Sequence, residues 1–151
     1  MIVTPETINV LLYALADEQF ALPMINVREV LRWRVPTPIP GTPQAILGVI
    51  HHHGIVLPVI DIRALLGLAT AAPTRSTRLL VVEHDSIQAA LVSDLVSDIV
   101  EVESTVIEPP PPSLPAAQSH YLAGLFFSAG RPVALLSLAA TFTAVTSSYA
   151  S

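Results

Sequence analysis

"GVIHHHGIVLPVIDIRALLGL", residues 48–68, sets three consecutive histidines between two aliphatic runs. Read as strand, turn at Gly54 and strand, it predicts a β-hairpin. Read as a metal-binding loop, it would point to an enzyme instead. Alternate side chains of a strand share a face, so His51 and His53 are the pair able to meet one ion while His52 points away. A zinc site needs a third protein ligand. His84, His120 and Asp61 are the candidates, and no spacing ties any of them to the pair. No metal and no cofactor is therefore expected. The stretch reads as a hairpin whose imidazoles face solvent or a partner.

The bulk composition favours the same reading. Hydrophobic residues make up 52% of the chain and charged residues only 13%, against about a quarter in an average domain. Such a chain buries a large core and leaves apolar patches that mark partner contacts. The net charge is −5, and the seven basic residues are all arginine, scattered from Arg28 to Arg131. Binding nucleic acid needs a basic stripe to neutralise phosphates, so nucleic acid is not an expected partner. The absence of cysteine excludes disulfides, thiolate zinc sites and a thiol nucleophile. No run reaches ~18 uninterrupted apolar residues, and "MIVTPETINV" lacks the basic start and apolar core of a signal peptide. A cytoplasmic protein without direct membrane insertion is expected.

Along the chain, "VLLYALADEQFALPMI" (10–25) predicts a hairpin around Asp17-Glu18. "NVREVLR" places Val27, Val30 and Leu31 at helical spacing and predicts one short helix. "VPTPIPGTP" (35–43) has too many prolines for helix or central strand and predicts an extended strap. "RALLGL" predicts a helical turn, and "APTRST" (72–77) a linker. "RLLVVEH" and "IQAALVSDLV" then form a second hairpin around Asp85-Ser86. "EPPPPSLP" (108–115) is a second strap, "LAGLFFSAGRPVALLSL" gives two more strands, and "AATFTAV" a terminal helix.

This order repeats. Gly48 and Gly54 are six residues apart, as are Gly124 and Gly130, and "GIVLPVIDI" overlays "GRPVALLSL". "VREVL" finds an echo in "VSDIV" (96–100), and each half has its own strap. Two related halves of about five short strands each fit a mainly β fold of two small barrels packed together. The first barrel is expected at about 10–71 and the second at about 78–142, with room for strands to be exchanged between them.

"YALADEQFALPMINVREVL", "TPIPGTPQAILGVI" and "GIVLPVIDIRALLGL" together resemble the CheW-like domain, the adaptor of bacterial chemosensory arrays. The resemblance covers residues ~11–68 closely and 78–142 in pattern. It implies a single CheW-like domain over 1–151, built of two five-stranded SH3-like β-barrels with short helices, without enzymatic activity. It also implies two partners, the cytoplasmic helical tip of a chemoreceptor and the regulatory domain of a CheA-type histidine kinase. By position, Glu29 falls where family members meet the receptor, and Val27 and Gly48 fall on the face associated with the kinase. His53 and Gly54 close the hairpin of residues 48–62 where the family usually has Asn-Leu-Arg-Gly, so His53 stands in place of an arginine. Arginine offers a permanent charge and a rigid fork of donors; histidine has less reach and a pH-dependent charge. The same scaffold serving a pili- or twitching-type pathway is the first alternative to chemotaxis. A small metalloenzyme built on His51 and His53 is the second.

The remaining polar residues read structurally. Asp61 and Arg63 are expected to fix the strand end or cap "RALLGL". Asp94, Asp98, Glu101 and Glu103 read as one solvated face. Ser93, Ser97 and Ser128 lack a Gly-x-Ser-x-Gly setting, and no phosphate loop is present.

Overall fold

Apolar runs bounded by tight turns fold into ten strands among the described residues, 6–147, of the computed structural model. The reading of the N-terminal stretch falls partly on residues 1–5, which lie outside them. In chain order the strands are β1 (Thr7–Leu15), β2 (Glu18–Pro23), β3 (Val27–Arg32), β4 (Ile46–His52) and β5 (Ile55–Ile60), then β6 (Arg78–His84), β7 (Ile87–Ser93), β8 (Leu95–Glu103), β9 (Leu122–Ser128) and β10 (Arg131–Leu136). Helix α1 (Arg63–Leu66) follows β5, α2 (Ala116–Ser119) follows the second strap, and α3 (Leu138–Ser147) follows β10. Among these residues no helix is long and apolar enough to cross a membrane.

The strands form two five-stranded sheets, ordered β8-β1-β2-β10-β9 and β3-β6-β7-β5-β4. Each sheet draws on both halves of the chain. Replacing every strand by its counterpart five places along turns one order into the other, so the repeat seen in the sequence is a repeat of topology. The join between halves is the parallel pair in each sheet. Val59 of β5 lies opposite Ala90 of β7, and Leu135 of β10 lies opposite Ala21 of β2. These are matching positions of the overlaid segments.

Burial explains the high apolar content. Leu11, Tyr13 and Leu15 of β1 and Leu80 and Val82 of β6 point into one core shared by both sheets, which α3 covers with Phe142 and Val145. The opposite faces of the same strands fill two smaller cores. Val10 and Leu12 pack with Phe126 and Val133; Leu79 and Val81 pack with Leu57 and Val59. Strands buried on both faces read as continuous apolar runs rather than as alternation. Tyr13 is fully buried and stacks on Phe20 at 5.7 Å, and burial pushes its phenol well above the ordinary range.

The stretch expected to be a helix, "NVREVLR", is instead the edge strand β3. Its pairing with β6 slips between Val27 and Glu29, which makes Arg28 the extra residue of a β-bulge. The slip puts Val27 (opposite Val82) and Val30 (opposite Leu80) on one face. A bulged strand thereby acquires the i, i+3 spacing of a helix. The echo at 96–100 has the same construction, with Ser97 the extra residue between Asp98 and Val96 in the β8–β1 ladder.

Both straps protect a sheet edge. Thr37 exchanges two backbone hydrogen bonds of 2.9 Å with Val49 of β4, and Glu108 does the same with Leu125 of β9 at 2.8 and 2.7 Å. Each pairing occupies the free edge of a strand that would otherwise be open to a foreign one. The crossing needs glycine. A Cβ on Gly48, at φ +150°, would collide with the Thr37 carbonyl, and one on Gly124 would lie 2.6 Å from Ile107 Cγ2 and 2.9 Å from the Glu108 oxygen. This accounts for the paired glycines six residues ahead of each hairpin turn.

Gly48→Ala should therefore displace the first strap and cost about 2 kcal/mol or more, read as a lowered denaturation midpoint. Val59 is fully buried, and Val59→Asp should cost on the order of 4 kcal/mol, since its carboxylate finds no partner in an aliphatic core. A soluble variant with wild-type cooperative unfolding would contradict that placement.

Candidate protein-interaction surface

The hairpin of the histidine stretch closes through a two-residue turn, His53-Gly54, with φ +49° and +78°. Two positive φ values in succession suit the right-handed twist of the flanking strands. The turn also changes which histidines meet. His53 has left the strand, so strand alternation does not apply to it. His52 and His53 converge, their ring centroids 3.9 Å apart. His51 stays on the strand opposite Val56. The expected pairing of His51 with His53 is thus replaced by a pairing of His52 with His53.

The third member of the group is Glu29. His52 Nε2 lies 2.6 Å and His53 Nε2 3.7 Å from the same oxygen, Glu29 Oε2. The hydrogen bond from His52 holds the Glu29 carboxyl below its usual range against an opposing effect of burial, with the charges of the nearby imidazoles adding to the lowering. Arg34 completes the contact: its Nη1 donates to the His51 carbonyl at 3.0 Å and its Nη2 lies 3.5 Å from His52 Nδ1. β3 and β4 are the two outer strands of their sheet. Side chains from β3 and from the segment after it therefore clasp the sheet's opposite edge.

Of the residues singled out in the sequence, Glu29, His53 and Gly54 come together and are exposed. Val27 is half-buried against the shared core, and Gly48 is buried beneath the strap. Any influence of Gly48 on a partner therefore passes through the strap it seats. Sequence reasoning missed His52 and Arg34 as members of the cluster. It also missed Ile55 and Val56, exposed aliphatic residues that follow directly on the turn. Their signal was present: apolar residues at the polar end of a hairpin. Among the described residues, Glu29, His52 and His53 are the group in which three metal-ligating types lie within 4.8 Å of one another. The suggested third ligands lie elsewhere: His84 faces Asp85 at 3.5 Å, His120 packs edge-on against Tyr121, and Asp61 is held by Arg63.

Asp61 and Arg63 are structural, as expected, and tie more than a helix start. Asp61 Oδ1 accepts the Arg63 backbone N–H at 3.1 Å and its Nε at 3.0 Å, while Arg63 Nη2 reaches Oδ2 at 2.9 Å. Arg63 Nη1 donates to both oxygens of Asp94 at 3.0 and 3.1 Å. Asp94 in turn accepts the Ala16 N–H at 2.7 Å. One buried guanidinium therefore links the end of β5 in one sheet to the β1–β2 turn and the start of β8 in the other. Burial alone would lower its pKa; the hydrogen bonds and charges of Asp61 and Asp94 more than compensate and hold it above the usual value. Asp94, expected on a solvated acidic face, belongs to this link, whereas Asp98, Glu101 and Glu103 are exposed.

A sequence model of the CheW-like domain matches residues 9–146. The chain is 33% identical over 130 residues to a chemotaxis protein CheW of Rhizobium meliloti, covering 86% of this chain and 84% of that protein. It is 38% identical over 110 residues to protein FrzA of Myxococcus xanthus, covering 73% and 69%. Its fold superposes on the scaffolding protein TtCheW from Thermoanaerobacter tengcongensis with a TM-score of 0.82 at 27% identity, over 91% of this chain and 89% of that one.

Arg63→Met should cost about 3 kcal/mol, because it strands two carboxylates that the guanidinium now satisfies. The loss should appear in urea unfolding as a lower midpoint with an unchanged slope.

Proposed function

The chain belongs to the CheW-like domain family, and on that premise we propose that it is a cytoplasmic, non-enzymatic chemosensory adaptor. One surface takes the helical tip of a chemoreceptor and another the regulatory domain of a CheA-type histidine kinase. The observation that carries this reading is the extent of the family match. Residues 9–146 include strands of both sheets and both straps, so the whole two-sheet frame is matched.

The adaptor works by placement. Holding two partners on one frame converts a weak encounter between them into a local one with a high effective concentration. No bond needs to be made or broken. On the receptor side we assign Glu29, His53 and Gly54, which form one exposed surface around the hairpin turn. The apolar residues Ile55 and Val56 beside them supply area for a helical partner to cover. On the kinase side we assign Val27 and the strap seated by Gly48. The imidazole at residue 53 supplies a hydrogen-bonding group without the fixed charge of arginine, which favours a receptor tip with a neutral or donor group at that contact.

The similarity to FrzA favours a second reading. In it, the same frame serves a different chemosensory pathway, of the pili or twitching type, with its own upstream partner.

Titration of the protein with a chemoreceptor tip fragment tests the first reading against the second. Binding is expected for the wild type. Glu29→Arg should weaken it about tenfold, as reversing a rim charge does, with only a small fall in the unfolding midpoint, because the bond to His52 that it breaks is a surface one. Absence of wild-type binding would favour the second reading. A fall in the midpoint worth more than the roughly 1 kcal/mol of a surface ion pair would make Glu29 a structural residue and remove it from the surface.

A further inference from the structure

We propose that Glu29, His52 and His53 form a binding site for a borderline divalent cation, Zn²⁺ foremost. Each offers one ligand atom, and these atoms lie within 4.8 Å of one another. Two imidazole Nε2 atoms are directed at a single carboxylate oxygen, at 2.6 and 3.7 Å. Tetrahedral zinc with bonds of roughly 2.0–2.1 Å asks its ligands to stand roughly 3.4 Å apart. Reaching that spacing requires Glu29 and His52 to separate slightly and His53 to close slightly, adjustments within reach of side-chain rotation. Two nitrogens and one carboxylate oxygen suit zinc and its neighbours. Calcium and magnesium favour all-oxygen sites.

The backbone brings the three residues that carry the donors together before any ion arrives. His52 is held in the β4 ladder opposite Ile55, His53 by a turn with φ +49°, and Glu29 by pairing beside a bulge. The ligands come from opposite edges of one sheet, so an ion would reinforce the clasp that Arg34 begins. Three protein ligands leave a position open to water or to a residue of another protein. Arg34 works against tight binding, since its guanidinium lies 3.5 Å from His52 Nδ1 and a cation at Nε2 would add a second positive charge to the same ring. Strand alternation alone pairs His51 with His53 and leaves them without a third ligand. The turn changes the pair, and Glu29 supplies the missing donor.

The inference concerns the chain alone and stands whether or not a receptor binds here. It is tested by isothermal titration of ZnCl₂ into protein from which any histidine tag has been removed. A saturable single site is expected, with no comparable heat from MgCl₂. His53→Asn keeps the turn, because Asn-Gly is a preferred pair there, and should weaken zinc binding at least about tenfold. Glu29→Gln should do the same, while His51→Gln should leave binding unchanged; thermal unfolding confirms that each variant is folded. Lack of saturable binding by the wild type would overturn the proposal. So would an equal loss in His51→Gln, which would indicate scattered imidazole binding rather than a site.

Discussion

The rest of the structure depends on two strands, β1 and β6, being buried on both faces. A strand in that position needs apolar cover above and below, and a sheet of five short strands cannot supply both sides alone. The chain meets the requirement by sharing. Leu11, Tyr13 and Leu15 meet Leu80 and Val82 in a common core, while Val10 and Leu12, and separately Leu79 and Val81, close a small core within each sheet. Exchange of strands between the halves follows, since each sheet is completed by strands of the other half. A frame built in this way fixes one sheet relative to the other through packing rather than through a linker. For a protein whose task is placement, that is the property that matters.

Most of this was legible in the sequence because apolar runs and turn residues dominate it. The hairpins, the straps and the repeat all appear where the residues predict them. What escaped was set by pairing rather than by local pattern. The bulge at Arg28 gives β3 a helical spacing, and only the register with β6 reveals it. The positive φ of His53 breaks strand alternation one residue early, so that His52, not His51, becomes its neighbour. Asp94 looks like one more charge in an acidic run; its role depends on Arg63, which lies 31 residues away in sequence. In each case the deciding contact is long-range, and no window of the chain contains it.

The two halves match in the elements that build the sheets, and differ at one buried ion-pair link and at the exposed hairpin turns. Both have a bulged edge strand, a strap, a glycine beneath the strap and a two-residue turn with positive φ. The counterpart of His51-His52-His53-Gly54 is Phe127-Ser128-Ala129-Gly130, and the counterparts of Asp61 and Arg63 are Ser137 and Ala139. The ion-pair link is therefore formed once, between the sheets, and the imidazole cluster occurs at one hairpin only. At the other hairpin Phe127 is 72% exposed. One hairpin thus presents a carboxylate with imidazoles, and the other an exposed aromatic ring.

That asymmetry has a consequence for how a repeated fold becomes a bridge. A perfectly symmetric pair of sheets would present the same surface twice and would bind two copies of one partner. Joining unlike partners requires that the copies diverge at the surface while the strands beneath keep their register. Specificity between two faces is a difference of affinities, and the exposed residues in which the halves differ lie at turns and edge strands, where substitutions cost the shared core little. The positions that must not change, Gly48 and Gly124 beneath the straps and the aliphatic residues of β1 and β6, lie inside. The exposed positions that differ lie at the hairpin ends.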